Sequence, residues 1–117
     1  MTSSIAATNA DIAAELSAVG RNLEATFSAL LAAVPGRHEG PTRLARELQI
    51  DRILAQRVLA ALNKKDPLAT AHAMPGPGPL ERVINAASKH GATPEAVSAT
   101  VQAVREFERL IREHGGD

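Results

Sequence analysis

Arg52, Gln56 and Arg57 are the side chains in this sequence whose type and spacing best suit a chemical task. They lie in PTRLARELQIDRILAQRVLAAL, residues Pro41–Leu62, which reads as two short helices joined by a tight turn. At about 100° per residue, Leu54, Ala55, Val58, Leu59, Ala61 and Leu62 gather within half the circumference of the second helix. The other half carries Arg52, Gln56, Arg57, Asn63 and Lys64, together with Ile53 and Ala60, and it holds no carboxylate. Guanidinium and amide donors suit phosphate oxygens and base edges, and an acid on the same face would repel phosphate. Arg52, Gln56 and Arg57 fall early to mid-helix, where a groove-reading helix meets base edges, and Ile53 and Ala60 suit thymine methyl groups. Arg43, Arg46, Asn63, Lys64 and Lys65 are placed to touch the DNA backbone. The competing reading is a solvated helix face that happens to be basic.

Little else in the chain carries chemistry. His38, His72, His90 and His114 lack the close pairing of a helical metal site, and no carboxylate completes one. The glycines of Pro75–Pro79, PGPGP, do not form a phosphate-cradling loop between strand and helix. No serine sits in a nucleophile elbow. Without Trp or Tyr there is no platform for stacking single-stranded bases. Glu106, Glu108 and Glu113 interleave with Arg105, Arg109 and Arg112 as an ordinary mixed-charge helix face. No catalytic residue, metal or cofactor is expected.

The totals set bounds on these readings. The chain has 117 residues, enough for one domain. Its net charge is zero, so any nucleic-acid contact must come from a local patch. The absence of cysteine excludes disulfides and thiolate metal sites and fits a reducing cytoplasm. No apolar run approaches the roughly 20 residues that span a bilayer. The opening MTSSIAATNAD lacks the basic start and apolar block of a signal peptide. Twenty-three residues are alanine and the only aromatics are two phenylalanines, so the core is light in large side chains. Such a core is expected to be completed by a second copy or by further chain.

The elements that position the patch are helical. Met1–Thr8 reads as a disordered start, with Thr8 or Asn9 as a helix cap. Ile12, Leu16, Val19, Leu23, Phe27, Leu30 and Val34 then form one apolar stripe that Pro35-Gly36 ends. Gly20 within it costs roughly 1 kcal/mol relative to alanine. Pro41 opens the next helix, Gln49-Ile50-Asp51 makes the turn, and Asp51 caps the helix that runs to about Lys64. Leu68–Met74 reads as a short strand or extended segment, and Pro75–Pro79 as a stiff non-helical linker. Pro79 can open a fourth helix, with Leu80, Val83, Ile84 and Ala87 on one face and Gly91 as its C-terminal cap. Thr93-Pro94-Glu95 starts a fifth, with Val97, Val101, Val104, Phe107 and Ile111 as its stripe. The first stripe is expected either to pack within its own domain against the fifth helix or to form a two-fold interface with it.

The segment Ala29–Leu62 resembles the helix-turn-helix of bacterial winged-helix repressors of the IclR and MarR type. Ala45 matches the small residue that lets the two helices approach. Leu44 and Leu48 match the buried positions of the first helix, Ile50 the apolar residue of the turn, and Val58 the inner position of the second helix. Two departures stand out. Gln49 occupies the turn position usually held by glycine, and the β-hairpin wing expected after the recognition helix is replaced by the proline-rich Lys64–Pro79. Residues 44–84 are also similar to the start of longer uncharacterised bacterial helix-turn-helix regulators in which a larger domain follows. That likeness implies an amino-terminal part of a longer protein.

The combined expectation is an all-α chain of about five helices, a single domain over residues 9–117 with a central helix-turn-helix at 41–64 and an absent or degenerate wing. Its expected role is a cytoplasmic bacterial transcriptional regulator, or its DNA-binding part, reading double-stranded DNA as a homodimer joined through helices 12–34 and 94–113. The alternative is a helical interaction or dimerisation module that keeps the fold without binding DNA.

Overall fold

The computed structural model describes residues 5–34 and 40–115, with side chains over 11–34 and 40–113. The expected chain stop at Pro35-Gly36, His38, the side chain of His114, and residues 1–4 of the expected disordered start lie outside the described residues. Six α-helices follow in order: α1 (Ile5–Ala33), α2 (Pro41–Leu48), α3 (Arg52–Leu62), α4 (Pro67–Ala73), α5 (Pro77–Lys89) and α6 (Pro94–Leu110). A π-helical turn, Ile111–Gly115, extends α6. The described residues contain no strand, and the all-α reading with a central helix-turn-helix and no wing holds.

The apolar stripe of α1 forms the spine of the core. From Val19 onward, Leu23, Phe27, Leu30 and Val34 are buried, whereas Ile12 and Leu16 nearer its start are half-buried. Around this spine close Leu44 and Leu48 of α2, Val58 of α3, Leu80 and Val83 of α5, and Val104, Phe107 and Leu110 of α6. Fully buried alanines at 55, 61, 87 and 103 let these helices approach closely. The stripe therefore packs within its own chain, with α6 and α4 as its main neighbours. Thr100 of α6 sits in this seam: its hydroxyl donates to the Ala96 carbonyl at 2.7 Å and lies 3.3 Å from the Thr26 carbonyl of α1.

Two sequence expectations are corrected after α3. Leu68–Met74 is neither strand nor extended, because Pro67–Ala73 forms α4. The Asp66 carboxylate caps it by accepting from the Ala69 N–H at 2.9 Å, and Pro67 sits at the first helical position, where no donor is lost. Flanking prolines suggested an extended strip, but one lies where helices tolerate proline and the other lies beyond the end. Only Met74-Pro75-Gly76 is extended, with Met74 held at ψ 142° ahead of its proline. The stiff linker is shorter than Pro75–Pro79, since α5 begins at Pro77 and takes in Pro79 as well. Both rings occupy the first turn, whose N–H groups have no partner within a helix, while Leu80 N–H closes the turn onto Gly76 O at 3.0 Å. The first helix also starts at Ile5 rather than at a Thr8 or Asn9 cap.

The end signals of the last two helices behave as read. Gly91 takes φ 115° after α5, and Ala92 N–H reaches back to Ala87 O at 3.0 Å. Thr93 Oγ1 then accepts from the Ala96 N–H at 3.1 Å with Pro94 at the first position of α6. On the outer face of α6, Arg109 pairs with Glu106 and Glu113, and Arg112 with Glu108. Hydrogen bonding to Glu106, then to Glu113, raises the Arg109 pKa above its ordinary value.

Gly20 has a positive reason to be glycine. A Cβ built there would fall on the Pro67 carbonyl oxygen, come within 2.9 Å of its carbonyl carbon and lie 3.2 Å from the Ala71 Cβ. The first turn of α4 rests directly on the backbone of α1. In an unobstructed helix, glycine to alanine stabilises by about 1 kcal/mol. Here Gly20→Ala should instead destabilise by about 1–3 kcal/mol, because the obstruction is backbone and cannot rotate away. Urea unfolding beside the exposed control Ala18→Gly, expected to cost about 1 kcal/mol by propensity alone, checks the reversal of sign.

Candidate nucleic-acid interface

The candidate interface is built on α2, the turn and α3. Leu44, Ala45 and Leu48 bury one face of α2. Leu54, Ala55, Val58 and Ala61 bury the facing side of α3, with Leu59 and Leu62 half-buried beside them. These are the inner positions that the wheel assigned. Gln49 ends α2 in the left-handed region at φ 59° and ψ 45°, the one positive-φ residue other than glycine among those described. Its N–H and that of Ile50 both turn back to Ala45 O, the latter at 3.0 Å, so Ala45 sits at the closest point of the turn. Asp51 is extended and caps α3, its Oδ2 accepting from the Leu54 N–H at 3.3 Å.

With the inner faces fixed this way, the outer faces point to solvent. Arg43 and Arg46 of α2, Arg52, Gln56 and Arg57 of α3, and Asn63, Lys64 and Lys65 after it are all exposed. Ile53 is 62% exposed, the most open large apolar side chain among the described residues. Arg52 Nε donates to Thr42 Oγ1 at 2.9 Å, which ties the start of α3 to the first turn of α2. Among the described residues, none of these six cations forms a salt bridge. This contrasts with Arg109 of α6 and Arg112 just beyond it, which pair with glutamates of their own helical segment. Residues 41–65 hold six of the thirteen basic residues and two of the thirteen acidic ones, so the neutral total hides a local positive excess.

Sequence reading missed three contributors. Thr42 was not singled out and is the partner of Arg52. Arg21, a residue of the α1 stripe helix, lines a cleft of about 220 Å³ with Lys64 and Lys65, where Glu24 and Asp66 also contribute. The contact at Gly20 is what brings Arg21 to the end of α3, so no local pattern could have shown it. The third is a row on α5, Arg82, Asn85 and Lys89, which faces the α2–α3 turn across a larger cleft. Its spacing is legible as one helix face, but its opposite wall is not. Among the described residues no cluster of three or more His, Asp or Glu side chains could hold a metal ion, and no described helix is long and apolar enough to cross a membrane.

No protein-family model matches the chain, no curated protein matches it, and no solved structure matches it.

The left-handed Gln49 gives a direct energetic check on the turn. A residue with a Cβ gives up roughly 1–2 kcal/mol in this region, a cost that glycine escapes. Gln49→Gly should therefore stabilise the chain by about 0.5–1 kcal/mol, after the entropy of glycine in the unfolded state is subtracted. Asp51→Ala should cost about 1 kcal/mol through the lost cap. Chemical denaturation of both variants against the parent measures the pair.

Proposed function

We propose that this chain is the DNA-binding part of a bacterial, cytoplasmic transcriptional regulator, with α3 as the helix that enters the major groove of double-stranded DNA. One observation carries the reading: the outward side of α3 joins exposed Arg52 and Arg57, neither in a salt bridge among the described residues, an exposed Gln56 and a 62% exposed Ile53, with no acid among them. The exposed Ile53 offers an apolar contact of the kind that meets a thymine methyl. In this reading Arg52, Gln56 and Arg57 face base edges or flanking phosphates. Arg43, Arg46, Asn63, Lys64 and Lys65 hold the backbone. The neutral total charge then keeps non-specific attraction modest while the local excess orients the docking face.

A second reading, a helical interaction module without DNA affinity, draws on the half-buried Ile12 and Leu16 near the start of α1. The two are compatible in a homodimer joined there, which would set two α3 helices about one turn of DNA apart.

A duplex-binding titration over a salt series tests the proposal. Arg52→Ala with Arg57→Ala should weaken binding by roughly 2–4 kcal/mol, and if both side chains touch phosphate the slope of log affinity against log salt should flatten by about two. Both residues are exposed, so the double variant keeps the parent fold. Sedimentation of the same sample separates the readings. A stable oligomer with no salt-dependent duplex affinity would replace the first reading with the second.

A further inference from the structure

A cleft lies beside the recognition face rather than on it, between the α2–α3 turn and α5. It measures about 410 Å³, within the range of small-molecule pockets. Its floor is apolar, from Leu48, Ile50, Leu54 and Ala86. Its rim is polar, with Gln49 and Asp51 on the turn side and Arg82, Asn85, Lys89 and His90 on the α5 side.

Four features of that rim bear on an anion. Arg82 and Lys89 are two cations one pair of helical turns apart on the same face of α5, and among the described residues neither forms a salt bridge. The one rim carboxylate, Asp51, accepts from the Leu54 N–H as the α3 cap and keeps its charge, so two cations against one anion leave a net positive rim. Gln49, held in a left-handed conformation that would be cheaper for glycine, is a lining residue of the cleft and brings a side-chain amide to the turn. His90 is half-buried with Nδ1 2.8 Å from the Ala86 carbonyl; with Nδ1 as the donor, Nε2 is left as a further polar atom at the rim.

We infer that this cleft binds an oxyanion group, a phosphate or carboxylate, through Arg82 and Lys89 with amide donors from Gln49 and Asn85. The apolar floor takes the body of a small organic anion. Because the wall of the cleft is the turn and cap of α3, an occupied cleft fixes the position from which α3 starts. A backbone phosphate of a bound duplex offers the same oxyanion chemistry, so the test separates the two sources.

Phenyl phosphate, inorganic phosphate and the neutral control phenol are titrated into ¹⁵N-labelled protein, with the backbone amides of Gln49–Asp51 and Arg82–His90 and the side-chain amides of Gln49 and Asn85 as readout. Saturable shifts are expected with phenyl phosphate, weaker ones with inorganic phosphate and none with phenol. Arg82→Gln with Lys89→Gln, both exposed positions that leave the core untouched, should weaken phenyl phosphate affinity at least tenfold. Arg52→Ala with Arg57→Ala should leave it unchanged, so failure of the DNA reading and failure of this one are distinguishable. If the parent protein shows no small-anion shifts but the Arg82 and Lys89 variant flattens the salt slope of duplex binding, the oxyanion is a DNA phosphate. Shifts that are missing or insensitive to the double variant, together with an unchanged duplex slope, would overturn the inference.

Discussion

The close contact between α1 and α4 at Gly20 is the constraint on which the rest of this structure depends. A helix seven residues long has little stability of its own, and α4 exists because its capped first turn lands on bare backbone. That landing fixes where the chain leaves α3, since only Asn63–Asp66 separates the two helices. It also sets Arg21 beside Lys64 and Lys65. A single missing Cβ thereby connects the spine of the core to the rim of the candidate interface.

The second organising constraint is the division of α3 into two faces. The inner face is filled by residues with 0–8% exposure, drawn from α2 and α3 together, and the pair packs mainly against α4, with α1 and α5 as lesser neighbours. The outer face carries Arg52, Gln56 and Arg57 and no carboxylate. In winged-helix proteins a β-hairpin broadens such a footprint. Here α4 occupies that part of the chain.

The helix-turn-helix was legible in the sequence because three signals agreed: the period of Leu44, Leu48, Leu54 and Val58, the capping Asp51, and Pro41 at a helix start. The same holds for Thr93-Pro94-Glu95 and Gly91, where local backbone chemistry alone sets the ends. α4 was not legible, because proline at a first helical position and proline past a helix end look alike in a short stretch. Gly20 read only as a weakness, since its reason lies 47 residues away at Pro67. The cleft was half legible: the row Arg82, Asn85, Lys89 follows from helical spacing, but its facing wall at Gln49 and Asp51 follows only from how α5 packs. Exposure of the basic face followed from periodicity, whereas its role in binding is a matter of what it meets.

The measurement that bears most directly on the central claim is a chemical-shift map of the ¹⁵N-labelled chain with a duplex at low salt. The account predicts shifts concentrated at Arg52–Arg57 and Asn63–Lys65, extending to Arg21, and fading as salt rises. A map without shifts at low salt, or one centred on the ion-paired outer face of α6, would contradict it.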